Sequence, residues 1–270
     1  MSELLFLDAD GTLLDVTGKV PESARKALKK AKEAGYKLIL STGRLQVEVV
    51  EELASLGFDG MILGAGAYVT VDGMVLHDEV LDDGQKSEIA DFVIEHDVPA
   101  IWESNERLYA NEHTKQALDQ LSARLTRDGF SPVGYIYGLL DVVDHPEQTR
   151  AVKVSTFDSP VPVSAVTDAF CGYSVLAASF EPFSNQGCEI GLAHLSKGHG
   201  VKLIADHFGV SLADCIAIGD SDNDLEMFEA CGLSYAMANG SKRAKEKADV
   251  IAPAINDDGI AWIIDRLLDR

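Results

Sequence analysis

An open, doubly wound α/β sheet of parallel strands, interrupted by an inserted α+β domain, is the fold class this sequence predicts, on three observations. Short continuous apolar runs end in polar residues, as strands buried on both faces should. Those runs alternate with apolar stripes at helical spacing. Midway the pattern changes to helices and half-buried strands, and later it changes back. A length of 270 residues suits one large domain or two, on a prior of roughly 150 residues per domain.

The elements follow in order. Leu4-Leu5-Phe6-Leu7 is the first buried strand, closed by polar residues and Gly11. From Pro21 the spacing predicts a helix with Ala24, Leu28 and Ala31 on one face and Gly35 as its stop. Leu38-Ile39-Leu40 is the second strand, the stripe Val49, Leu53, Leu56 a second helix ended by Gly57, and Met61-Ile62-Leu63 the third strand. Tyr68 to Val71, the turn Asp72-Gly73 and Met74 to Leu76 read as a hairpin of the kind Asp-Gly favours. From about Asp82 to Gly187, helical stretches (Ile89, Phe92, Val93) alternate with half-buried strands such as Arg107–Asn111 and Ala151–Phe157. After Glu189 the first pattern returns, with a helix around Val201–Phe208, the strand Cys215–Ile218, a helix from Asp222 and a closing amphipathic helix, Gly259–Leu268. The expected division is a core of residues 1–81 and 188–270, with an inserted domain at 82–187.

Charge narrows the function. Lys and Arg number 23 against 44 Asp and Glu, a formal net charge of −21, so the overall field repels phosphate backbones and anionic lipid. No nucleic-acid or membrane partner is expected. No apolar run approaches the roughly 18 residues of a spanning helix, and Ser2-Glu3 lead straight into a strand without a basic leader. A soluble, cytoplasmic protein is the expectation. Cys171, Cys188, Cys215 and Cys231 form no CxxC and read as buried reduced thiols. Asn239-Gly240-Ser241 matches a glycosylation sequon, but nothing else suggests secretion.

Four motifs carry chemistry. Asp8-Ala9-Asp10-Gly11-Thr12 follows the first strand; in extended chain, residues i and i+2 point the same way, aiming two carboxylates beyond the strand end, where open α/β sheets bind ligands. Taken alone, the pair serves equally as a polar capping turn. Ser41-Thr42-Gly43-Arg44 ends the second strand and offers hydroxyl and backbone N–H donors to an oxyanion, or else a helix cap. Lys197, in Ser196-Lys197-Gly198, gains meaning only from its company. Gly219-Asp220-Ser221-Asp222-Asn223-Asp224 is an oxygen-rich patch suited to Mg²⁺. An EF-hand is excluded, because Leu225 and Cys231 stand where its Gly and Glu belong. Gly64-Ala65-Gly66 lacks the third glycine of a dinucleotide fingerprint, Val69 taking its place, and no GxxxxGK[ST] is present. Together the acids need a counterion, which a divalent cation and Lys197 supply.

With these four motifs in this order, the sequence resembles the haloacid dehalogenase (HAD) superfamily of phosphatases, and the TGR and GDxxND forms resemble its Cof-type subset with a C2 cap inserted between the second and third motifs. The resemblance implies an HAD-like core, the inserted segment being the cap. It implies Asp8 as nucleophile, forming an aspartyl-phosphate, and Asp10 as the acid that protonates the leaving alkoxide and then activates water. It implies Mg²⁺ held by the Asp8 carboxylate, the Asp10 backbone carbonyl and Asp220. The phosphoryl oxygens would be held by Thr42, the N–H groups of Ala9 and Gly43, Lys197 and Asn223, with Asp224 in support. Many relatives carry Asn-Gly-Ala where this chain has Ala65-Gly66-Ala67.

The expected activity is Mg²⁺-dependent hydrolysis of small phosphate monoesters, sugar phosphates first, with pyridoxal phosphate and flavin mononucleotide open. A phosphosugar mutase of the same fold and a non-catalytic phosphometabolite-binding protein are the alternatives. Trp102, Glu103, Arg107, Tyr109, Tyr135, Tyr137 and Lys153 are candidates to read the leaving group.

Overall fold

Strand β1 (Leu4–Leu7) is buried along its whole length because helices cover both faces of the sheet around it. The computed structural model describes residues 3–127, 129, 131–178, 181–183 and 186–269, and these form two units, Met1–Asp78 with Leu195–Arg270, and Glu79–His194.

The first unit begins with β1, α1 (Glu22–Glu33), β2 (Lys37–Ser41), α2 (Glu51–Ala54), β3 (Gly60–Leu63), β4 (Tyr68–Val71) and β5 (Met74–Asp78). The hairpin β4–β5 turns at Asp72 and Gly73, both with positive φ (48° and 79°), as a two-residue turn matched to strand twist requires. The expected helix through Val49, Leu53 and Leu56 is shorter than its stripe. Gln46–Glu48 form a 3₁₀ turn, Val49 and Val50 are extended, and only Glu51–Ala54 are α-helical. Clustered β-branched residues at 47, 49 and 50 disfavour a continuous helix there.

The second unit contains α3 (Asp83–Glu95), β6 (Ala100–Glu103), β7 (Leu108–Ala110), α4 (Glu112–Leu125), α5 (Ile136–Leu139), β8 (Leu140–Val142), β9 (Lys153–Thr156), α6 (Val163–Ala169), β10 (Tyr173–Ala177) and β11 (Cys188–Leu192). Its sheet runs β10-β11-β9-β6-β7-β8, antiparallel except for β7–β8. Asp82 and Asn111 start α3 and α4 by accepting N–H bonds from Gln85 and Thr114. Placing residues 188–194 in the core needs correction: β11 pairs antiparallel with β9 and β10, and its alternating burial is that of a half-buried strand. Residues 79–81 also group with this unit. Its two ends meet, His194 Nε2 lying 3.0 Å from Glu79 Oε1.

The chain re-enters the first unit with α7 (Lys197–Phe208), β12 (Cys215–Gly219), α8 (Leu225–Ala230), β13 (Leu233–Met237), α9 (Lys242–Lys247), β14 (Val250–Ala252) and α10 (Gly259–Leu268). The eight-stranded sheet runs β14-β13-β12-β1-β2-β3-β4-β5. It is parallel from β14 to β3, with β4 and β5 antiparallel at one edge. Alternate residues of β1 and β2 feed opposite cores: Leu5, Leu7, Leu38 and Leu40 pack with α1 and α10, and Leu4, Phe6 and Ile39 with α7 and α8. Each such leucine contributes about 1.5–3 kcal/mol by leaving water. Cys188 and Cys215 are buried and Cys231 partly so, but Cys171 is exposed, against expectation. Among the described residues, no helix is long and apolar enough to cross a membrane.

Candidate active site

Chain order reverses direction at β1, whose neighbours are β2 on one side and β12 on the other. Ligands of open α/β sheets bind at such a switch point. The register aligns Leu7 with Leu40 and Ile218, so the chain leaves all three strands at one level. Asp8, Ser41-Thr42 and Gly219-Asp220 therefore emerge together, although Asp8 and Asp220 lie more than two hundred residues apart in sequence.

Lys197 joins them. It opens α7 behind the cap residue Ser196, is fully buried (0% exposed), and donates from Nζ to Asp8 Oδ1 at 2.5 Å, Asp224 Oδ1 at 2.6 Å and Asn223 Oδ1 at 2.9 Å. The second oxygen of Asp224 accepts the N–H groups of Asp220 and Ser221, both at 2.9 Å. Asp224 thus closes its own loop and orients Lys197. Asn223 Oδ1 is taken by Lys197 and by the Ser221 hydroxyl at 2.7 Å, so its amide NH₂ remains to donate. A Cβ built on Gly43 would lie 4.0 Å from that Nδ2, which puts the Gly43 turn beside the Asn223 amide.

Charge is out of balance in this cluster. Carboxylate oxygens of Asp8, Asp220 and Asp224 lie within 4.8 Å of one another, with one ammonium among them. Burial pushes the Asp8 carboxyl well above its usual range; Lys197 pulls it down, and Asp224 and Asp220 add to the rise. Asp220 is pushed up to about 6, by burial first and by Asp224 second. Burial works against the charge of Lys197 too, but Asp224 and Asp8 outweigh it, and its pKa is raised. Hard oxygen donors with surplus negative charge fit a divalent cation. Asp8 and Asp220 are the carboxylates best placed to hold one, since both oxygens of Asp224 are engaged. Thr12 donates to Asp220 Oδ1 at 3.2 Å, and Gly11 (φ +82°) passes so close that a Cβ would stand 2.4 Å from Asp220 Oδ2.

Asp10 is not drawn into the cluster. Its carboxylate, 59% exposed, takes a bidentate pair of bonds from Arg44, Nη2 at 2.7 Å and Nε at 2.8 Å. Arg44 also donates to Glu48 O at 3.0 Å and, through its N–H, to Thr42 Oγ1 at 3.1 Å. Thr42 is buried at the end of β2 with its own hydroxyl hydrogen left to donate. Arg44 is the residue sequence reasoning passed over: it stood inside a motif, but a partner 34 positions away leaves no spacing signal. The turn after β3 supports the same loop, Gly64 N–H bonding Arg44 O at 2.9 Å and Ala65 N–H bonding Thr42 O at 3.0 Å. Ala65 is left-handed there (φ 53°), a conformation Asn adopts more readily than Ala.

The candidates for reading a leaving group lie in the second unit. Trp102 is buried in its core, and Tyr135 is exposed. Arg107 pairs with Asp141, and Lys153 lies between Glu103 at 3.3 Å and Glu189 at 2.8 Å. Tyr137 donates to Asp119 at 2.9 Å.

Comparison with known proteins adds a family. The profile of the haloacid dehalogenase-like hydrolases matches residues 5–264. The chain is 30% identical over 275 residues to the chloroplastic endoribonuclease YBEY of Arabidopsis thaliana, covering 97% of this chain and 46% of that protein. It therefore spans about half the length of that relative. It is 25% identical over 272 residues to the putative phosphatase YkrA of Bacillus subtilis (strain 168), covering 98% of both. Among solved structures it is similar to BT1666 of Bacteroides thetaiotaomicron, studied among HAD phosphatases, with a TM-score of 0.82 and 25% identity over 98% of this chain and 95% of that one.

Proposed function

Because the chain belongs to the haloacid dehalogenase-like hydrolases, we propose that it hydrolyses small phosphate monoesters, sugar phosphates foremost, with Mg²⁺ and through a phosphorylated Asp8. The observation that carries this reading is the fully buried Lys197 bonded at once to Asp8, Asn223 and Asp224 at the end of the central strand. A carboxylate meets a phosphate dianion only when its repulsion is offset, and a buried ammonium beside it does part of that work. Mg²⁺ bound by the Asp8 carboxylate, the Asp10 backbone carbonyl and Asp220 would offset the rest of the charge and polarise the phosphoryl group.

The chain's own residues then divide the labour. Asp8 attacks phosphorus through a carboxylate oxygen, forming an acyl phosphate while the bond to the leaving oxygen breaks. Asp10, released from Arg44 and protonated, gives its proton to that oxygen. It next takes a proton from water as the water oxygen attacks phosphorus; the bond to Asp8 breaks, and inorganic phosphate leaves. The Thr42 hydroxyl, the N–H groups of Ala9 and Gly43, Lys197 and the Asn223 amide hold the phosphoryl oxygens throughout, and Asp224 keeps Lys197 in place.

The test is phosphate release from a panel of sugar phosphates, pyridoxal phosphate and mononucleotides, with Mg²⁺ or with chelator, for the native chain beside Asp8→Asn. Chelator-sensitive release that falls by about 10³-fold or more in the variant is expected, the scale on which a lost nucleophile is felt. Release that survives the substitution removes Asp8 from the mechanism. Interconversion of sugar phosphates without net release replaces the hydrolase by a mutase.

A further inference from the structure

We propose that Asn239 is a positioning residue, whose side-chain amide fixes the spacing between the loops after β1 and β12 and thereby sets the affinity for the divalent cation. The inference rests on the cation-binding role proposed above for Asp8 and Asp220. Asn239 belongs to none of the four motifs; in sequence it is only the first residue of a sequon.

Its bonds say more. Asn239 follows β13, and its Nδ2 donates to Gly11 O at 2.8 Å while its Oδ1 accepts the N–H of Ile255 at 2.9 Å. Ile255 is buried in the core shared with α10, so this side of the bond is anchored. Gly11 lies between Asp10 and Thr12, in the loop whose Thr12 hydroxyl bonds Asp220. A fixed Gly11 carbonyl fixes the peptide that carries Thr12.

Residues 240 and 241 hold the other loop. Ser241 donates its N–H to Asp220 O at 2.7 Å and its hydroxyl to Asp222 Oδ1 at 2.6 Å. Gly240 lies so close that a Cβ there would meet Asp220 O at 2.4 Å, a distance no side chain tolerates. Asn239, Gly240 and Ser241 therefore form one bracket gripping both acidic loops. The carboxylates of Asp8, Asp220 and Asp224 repel one another, and the bracket opposes their separation before any cation arrives. Mg²⁺ demands near-ideal octahedral geometry, so ligands already at the right spacing bind it more tightly.

The experiment is titration calorimetry of Mg²⁺ into the full chain, native and Asn239→Ala, alongside kcat and the Mg²⁺ activation constant for phosphate release. Loss of one solvent-accessible hydrogen bond corresponds to about 2- to 10-fold in an equilibrium. The Ala variant is expected to bind Mg²⁺ weaker by about that factor, with its activation constant raised in parallel and kcat at saturating Mg²⁺ within about twofold. Lys242→Ala, an exposed change on the neighbouring helix, should leave the dissociation constant unchanged. Asn239→Asp retains the acceptor for Ile255 and loses only the donor to Gly11; it should weaken binding too, although its added charge alone would attract the cation, and it carries the test if the Ala variant does not fold. Native binding with unaltered binding in a folded Asn239 variant overturns this inference alone. Absence of Mg²⁺ binding by the native chain overturns it together with the cation role on which it rests.

Discussion

Lys197 keeps its charge where no solvent reaches it, because Asp224 and Asp8 together outweigh the cost of its burial. An ammonium with a single carboxylate would be neutral as a pair; here the balance is negative, and both Asp8 and Asp220 hold protons more tightly than free carboxylates do. For Asp220 the sign is definite. Its folded value, about 6, lies above the unfolded one near 3.8, so without metal its contribution to stability is full below about pH 4 and is lost as pH rises through about 6. A bound cation favours the ionised carboxylates and reverses that trend. The stabilisation produced by Mg²⁺ over chelator should therefore grow as pH rises from 5 to 7.5. At about a hundredfold excess over the dissociation constant at pH 7.5 it amounts to about 2.7 kcal/mol. Thermal unfolding with and without EDTA across that range measures it, and a pH-independent difference would count against cation binding at Asp220.

Helices α1 and α10 pack on each other and on one face of the sheet. Leu28, on the inner face of α1, is essentially inaccessible, and Leu28→Ala should cost about 2–5 kcal/mol by transfer and cavity terms. None of the proposed site residues lies on α1, so kcat should be unchanged; urea unfolding beside a kinetic assay separates the two. Elements of this unit are largely legible in the sequence, because a parallel strand covered on both faces can only be a short apolar run. The closing helix Gly259–Leu268 and the Asp-Gly hairpin are legible for similarly local reasons. Legibility fails where the deciding partner is distant. β11 is half-buried and alternating, which marks an antiparallel strand, yet its sheet is formed by β9 and β10. The convergence of Asp8, Thr42 and Asp220 follows from their places at strand ends. The pairing of Asp10 with Arg44 and the bridge from Asn239 to Gly11 do not, since a side-chain bond across 34 or 228 positions leaves no periodic trace.

At the scale of the whole chain, the second unit has its own sheet, its own helices and a buried centre around Trp102, Phe157 and Phe170. Its two ends are joined by the contact between Glu79 and His194. A segment whose ends meet needs little from its surroundings to close. Residues 79–194 expressed alone should therefore unfold in one cooperative transition, with a near-UV circular dichroism signal from Trp102; a broad, non-cooperative melt would show that the unit depends on the remainder. The first unit has the opposite character. Its central strand, β1, precedes the second unit in sequence, and the neighbour that completes the cluster, β12, follows it. During synthesis Asp8 therefore emerges before the second unit, and it waits through every element between until Lys197, Asp220 and Asp224 have followed. No nascent chain arrested before Asp224 holds the complete charge cluster, so the cluster is assembled only by the order of translation.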